Sequence, residues 1–173
     1  VLESGVGFIP EDRQSDGLVS EFTIAENLML NSSYKSRFTK GLKINFVARK
    51  RIAKELVEQL DVRTPSAETV AHKLSGGNQQ KVVVAREMSR EVSLLIASQP
   101  TRGVDVGSIE FIHEQIIAAR DAGKAVILIS SELDEVLALA DRIAVMYRGK
   151  IVGIVEPNTS REDLGKLMAG VTA

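Results

Sequence analysis

Two short runs of exclusively apolar residues, Leu94-Leu95-Ile96-Ala97 and Ala125-Val126-Ile127-Leu128-Ile129, constrain this chain more than any other feature. A strand with one wet face alternates apolar and polar residues. A strand that is apolar on successive positions is built to be covered on both faces, as in parallel sheets. Between the runs, Ile109, Ile112, Ile116 and Ala119 recur at helical spacing, and Gly123 supplies a helix stop. Strand, helix and strand in that order make a βαβ unit, so the expected class is α/β. Both runs fall far short of the ~20 residues a membrane-spanning helix needs.

The remaining patterns extend this core. Val6 to Ile9, closed by Pro10, reads as a strand running into a loop. Thr23-Ile24-Ala25-Glu26 is a capping box, in which the hydroxyl takes the amide three residues on and the carboxylate reaches back, so a helix should run from Ile24 to about Leu30. Asn31 to Asn45 reads as a surface loop. From Phe46 a second helix carries Ala48, Ile52, Leu56 and Leu60 on one face and Lys and Arg on the other. Ile143 to Tyr147, Arg148-Gly149-Lys150 and Ile151 to Val155 form a hairpin with Gly in its turn. Ser160 with Asp163 starts a last helix that ends near Gly170. There is no internal repeat. The whole is an α/β core from about Leu94 onward, preceded by a more polar, helix-rich stretch from Glu11 to Ser89.

Composition removes several kinds of chemistry. The 173 residues contain no cysteine, which excludes disulfides, thiolate catalysis and cysteine-held metals, and only two histidines, His72 and His113, which read as solvated side chains rather than ligands. No metal site is expected from these residues. Lys plus Arg is 22 against 23 for Asp plus Glu, and aromatics make up 4% of the chain, so neither charge nor stacking residues point to nucleic acid. The basic groups around Arg37 to Lys43 and Lys50-Arg51 read as a solvated face. The chain begins at Val1 without methionine, which reads as a piece of a longer polypeptide.

One motif carries chemistry. Leu74-Ser75-Gly76-Gly77-Asn78-Gln79-Gln80-Lys81 stands directly before the apolar pattern Val82, Val83, Val84, Ala85 and Met88. Two glycines clear side chains from a helix start whose unpaired amides and positive dipole end suit an anion such as phosphate. The run resembles the LSGGQ-type signature of ATP-binding-cassette ATPases. Pro100-Thr101-Arg102-Gly103-Val104-Asp105 follows at the distance that family uses, with Asp105 matching the D-loop aspartate at the contact between cassettes; Asp105 also reads as a plain helix cap. Val6 to Arg13 with Thr23 to Leu28 resembles the Q-loop region of the second cassette in simple-sugar and nucleoside importers. Ser130 to Val136 and Ala140 to Ile143 resemble its switch region.

The resemblance implies a partial nucleotide-binding domain: residues 1–10 as a core strand leading to the Q-loop, 11–90 as a helical subdomain with the signature, and 91–173 as the RecA-like α/β portion. It implies that Ser75, Gly76, Gly77, Asn78 and Gln79 meet ATP phosphate held by another cassette, across an interface that includes Asp105. At four positions the sequence departs from the family pattern. The Walker B strand is followed by Ser98 and Gln99 where the family has Asp-Glu, Ser131 stands at the switch histidine, and Glu11 stands at the Q-loop glutamine. Serine brings no anionic metal ligand and an amide accepts no proton from water at neutral pH, so the chain's own site is expected to hydrolyse poorly. The Walker A loop would lie upstream of Val1.

For the parent protein, the same resemblance implies binding of ATP and Mg²⁺, with none held tightly by this piece, and a place at the cytoplasmic face of the plasma membrane. Its partners would be a second cassette in the same polypeptide, permease subunits and, indirectly, a solute-binding protein. Two other readings stand beside this one. A non-transport cassette ATPase of the DNA-repair or ribosome-associated kind should bring coiled-coil heptads or strongly basic linkers, and neither is in the sequence. A non-catalytic interaction domain would not need a complete signature run.

Overall fold

The computed structural model describes residues 4–40 and 43–171; the first three residues of the expected strand segment 1–10, and residues 41–42 of the expected loop, lie outside these. The chain divides into two compact units, one up to Ile127 and one from Leu128 on. The polar helical stretch belongs to the first unit together with the strands that precede and follow it.

Strand β1 (Val6–Ile9) of the first unit lies parallel to β4 (Leu94–Ser98), with Ile9 opposite Ala97, and β5 (Ala125–Ile129), whose last two residues fall in the second unit, follows in the order β1-β4-β5. Helix α4 (Val106–Asp121) connects β4 to β5, buries Ile112, Ile116 and Ala119, and ends before Gly123, whose positive φ of 81° only glycine adopts without strain. The βαβ unit is therefore as expected, but several of its apolar side chains are exposed. Leu95 and Ala97 are fully buried, whereas Phe8 on β1 is 46% exposed and Ile127 and Ile129 on β5 are 49% and 50% exposed. The apolar runs form the strands, and part of their apolar surface is exposed.

The first unit is organised around helix α3 (Gly76–Met88), in which Val82, Val83, Val84 and Ala85 are all fully buried. Four consecutive buried positions cover more than a full turn, so α3 is a central helix with no wet stripe along that turn. It packs on α1 (Ile24–Met29), on β1 and on α4, and also touches α2 (Phe46–Gln59). The capping box at Thr23 and Glu26 is present with both of its bonds.

The stretch from Asn31 to Asn45 differs from a surface loop. It holds a 3₁₀ turn, Leu30–Ser32, and a short antiparallel pair, β2 (Thr39–Lys40) with β3 (Lys43–Ile44), and it buries Phe38 to 1% exposure. Arg37 stacks on the Phe38 ring and donates to Ser32 Oγ and to the Ser89 carbonyl, which draws the aromatic inward. One buried ring fixes this segment, and a single ring has no periodicity to read.

In the second unit, α5 (Leu133–Leu139) precedes a hairpin of β6 (Ile143–Tyr147) and β7 (Lys150–Val155), and α6 (Arg161–Met168) closes the chain. Arg148 and Gly149 both have positive φ, 47° and 77°, the geometry of a two-residue turn that matches strand twist. Its core is Ile143, Val145 and Leu164, with Leu133, Val136 and Leu167 packed against them.

Candidate functional site

Parallel pairing of β1 with β4 brings their C-terminal ends side by side, so Glu11, Ser98 and Gln99 meet at one edge of the sheet, where open α/β sheets bind ligands. Gln99 has a φ of 47°, a left-handed conformation that costs a non-glycine residue roughly 1–2 kcal/mol, and its carbonyl closes a turn by accepting from the Arg102 amide at 3.1 Å. The carboxylate of Glu11 pairs with the Arg102 guanidinium, which offsets the negative charge that Glu11 brings to this edge. Ser131 belongs to the second unit, where it is exposed just ahead of α5.

The signature residues start α3. Ser75 is its N-cap: its Oγ accepts from the Asn78 amide at 3.5 Å and from Asn78 Nδ2 at 2.9 Å. A hydroxyl that accepts twice keeps its own proton to donate, and Ser75 is exposed, so that proton is available to an acceptor outside the helix. The first-turn amides lie beside it with the positive end of the helix dipole. These groups fit an anion. Asn78 also accepts from the Arg63 amide at 2.7 Å, which fixes its orientation. Gln79 is 5% exposed, with its amide nitrogen on the Ala71 carbonyl, so its side chain is turned inward rather than towards the exposed groups.

The two glycines are explained first by packing within the chain. A Cβ on Gly77 would fall well under 3.0 Å from Ser108 Oγ and Asp105 Oδ2, and one on Gly76 would meet the Arg13 guanidinium and, at 3.1 Å, the Gly103 carbonyl. Asp105 caps α4 through the Ser108 amide and bonds the Ser108 hydroxyl, and these two bonds hold its carboxyl below the usual carboxylate value of 3.8. Asp105 is therefore an exposed cap of α4, as read, and it also lies over Gly77. His72 is exposed near Glu21, and His113 is half-buried on α4.

Sequence reasoning gave no role to Arg13, Gln80, Lys81 or Arg102. Arg13 donates to the Arg102 carbonyl at 2.8 Å and to the Gly103 carbonyl at 3.2 Å. Gln80 donates to the Pro100 carbonyl at 2.8 Å, so α3 holds the loop after β4. Lys81 is buried against Asp61 and the face of the Phe111 ring. A single polar side chain whose partner lies far along the chain carries no spacing signal that would mark it.

Compared with known families, residues 2–102, more than half of the chain, match the family described as ABC transporter. The chain belongs to that family. It is 50% identical over 99% of its length to the guanosine import ATP-binding protein NupO of Bacillus subtilis, and 52% identical over 98% to the nucleoside import ATP-binding protein NupA of Lactococcus lactis. It is 41% identical over 98% to a ribose import ATP-binding protein, RbsA, also of Lactococcus lactis. In each case the chain spans about a third of the relative, 34% of its length. Among solved structures, the dimeric post-hydrolysis state of the ATP-binding cassette MJ0796 superposes with a TM-score of 0.71 over 90% of this chain and 64% of that one, at 24% identity. The fold is that of an ATP-binding cassette, in part. Among the described residues no helix is long and apolar enough to cross a membrane.

Proposed function

We propose that this chain is the later part of the second cassette in the ATP-binding subunit of an importer for nucleosides or simple sugars. The relatives named for nucleosides stand at 50% and 52% identity and the ribose relative at 41%, which favours a nucleoside as cargo. In this reading the subunit carries two cassettes, docks from the cytoplasmic face onto membrane-embedded permease subunits, and receives solute indirectly through a solute-binding protein.

The observation that carries the reading is the exposed start of α3, where Ser75 keeps a hydroxyl proton to donate beside the first-turn amides. ATP with Mg²⁺ supplies the reacting phosphate in the intact parent. Ser75, Gly76, Gly77 and Asn78 donate across an interface to phosphate held by the other cassette, and aligned donors of this kind stabilise charge that builds up in the transition state. The chain's own strand ends are poorly suited to hydrolysis. Ser98 and Gln99 bring neither an anionic metal ligand nor a general base, and the Glu11 carboxylate is engaged by Arg102. The two sites of the parent would then be unequal, with this cassette completing the working one.

The test is steady-state ATP turnover by the full-length parent subunit. Ser75→Arg should lower it by about 10²–10³-fold, whereas Ser98→Asp with Gln99→Glu should raise it only modestly, because Ser131 and Glu11 stay mismatched. Near-normal turnover in Ser75→Arg would show that the motif is only a structural turn.

A further inference from the structure

The segment after β1 is fastened along α3 at both ends. At one end Arg13 spans two consecutive carbonyls, those of Arg102 and Gly103, and its guanidinium fills the space left by the missing side chain of Gly76. At the other end the Gly17 carbonyl accepts from Arg86 Nη1 at 2.7 Å, and Gly17 lies so close to Val83 that an added Cβ would stand 3.1 Å from it. Arg86 is held in turn by Glu87, 2% exposed, which also takes Arg90 and Asn31.

Helix stability does not account for the place of Arg13. A cation beside a helix N-terminus opposes the macrodipole, and its Nε is buried without a hydrogen bond. What the guanidinium does achieve is geometric: one planar fork ties the loop after β4 to the segment after β1 while packed against Gly76 at the first turn of α3. We infer that Arg13 is a positioning residue for the signature turn, holding the Arg102–Gly103 segment against Gly76 so that Ser75 and the first amides of α3 keep one aim. Asp105 and Ser108, a few residues further on, are thereby seated over Gly77. Lysine cannot replace it, because a point charge does not bridge two carbonyls as a fork does. This role for Arg13 rests on the proposed role of Ser75 towards phosphate across the interface.

The experiment measures kcat and KM for ATP in the full-length parent subunit carrying Arg13→Ala, Arg13→Lys or Ser75→Ala. Arg13 acts through groups that meet the phosphate as it reacts, so both Arg13 variants should lose kcat, by roughly 10²-fold for an ångström-scale misplacement, with KM little changed. Added guanidinium ion should recover part of the kcat of Arg13→Ala in a saturable way and leave Ser75→Ala unaffected. If Arg13→Ala fails to fold, Arg13→Lys is read by the same kcat and KM criterion. Parent-like kcat in the Arg13 variants alongside a loss in Ser75→Ala would overturn the assignment of Arg13 and leave the signature reading standing. Parent-like kcat in all three would remove both. A loss with raised KM and no recovery by guanidinium would assign Arg13 to general folding and also overturn the inference.

Discussion

Each residue of the Ser75-Gly76-Gly77-Asn78 run answers to a different constraint. Ser75 is free to serve a ligand because its own acceptor needs are met inside the turn, whereas Gly77 is fixed by the Asp105–Ser108 turn that occupies the space a side chain would need. Gly77→Ala should therefore destabilise the first unit by about 1–3 kcal/mol, the usual cost of overpacking. Urea unfolding followed by a probe in that unit checks this; a change below about 0.5 kcal/mol, within the range of ordinary surface substitutions, would mean the α4 start yields without cost. Loss of turnover in a Gly77 variant would consequently say little about phosphate, which is why Ser75 is the informative position.

At the scale of elements, side-chain caps set the starts of α1 (Thr23 with Glu26), α2 (Asn45), α3 (Ser75), α4 (Asp105) and α6 (Ser160), and Asp12 caps the helical turn Arg13–Gly17, whereas α5 starts without one. Where the cap is a carboxylate, the hydrogen bonds it accepts lower its pKa, as for Asp105 through the Ser108 hydroxyl and amide and for Asp12 through the Ser15 and Gln14 amides. A carboxyl whose folded pKa is depressed contributes stability that is present above its unfolded value, near 3.8 for Asp105, and is lost as pH falls through the lower folded value. Asp105→Asn keeps an N-cap but removes the charge. Hydrogen-exchange protection of α4 should be lower in the variant than in the parent near neutral pH, with the gap closing below pH 3.8. A gap that stays constant into strong acid would show that the charge of Asp105 adds nothing to the cap.

For the molecule as a whole, the exposed apolar side chains on the strands of the first unit matter most. Phe8 and Ile127, 46% and 49% exposed, lie on strands of the first unit, and a formal net charge of -1 offers little repulsion between copies. The 173-residue chain should self-associate, with a sedimentation coefficient that rises with concentration, and Ile127→Lys should shift it towards monomer. A concentration-independent monomer would count against this reading.

The sequence alone determined the βαβ unit, the hairpin and the starts of α1, α2, α3 and α6, because each is written in a local code of unbroken apolar runs, helical periodicity and caps within four residues; α5, which starts without a cap, was not among them. Only the tertiary structure decided that Phe38 is core, that the space beside Gly76 and Gly77 is occupied by Arg13, Asp105 and Ser108, and that Arg102 engages Glu11. Those contacts join residues that are far apart in the chain, 91 positions for Arg102 and Glu11. They arise when the pairing of β1 with β4 brings two strand ends together, and no local pattern of side chains encodes which distant loop will arrive there.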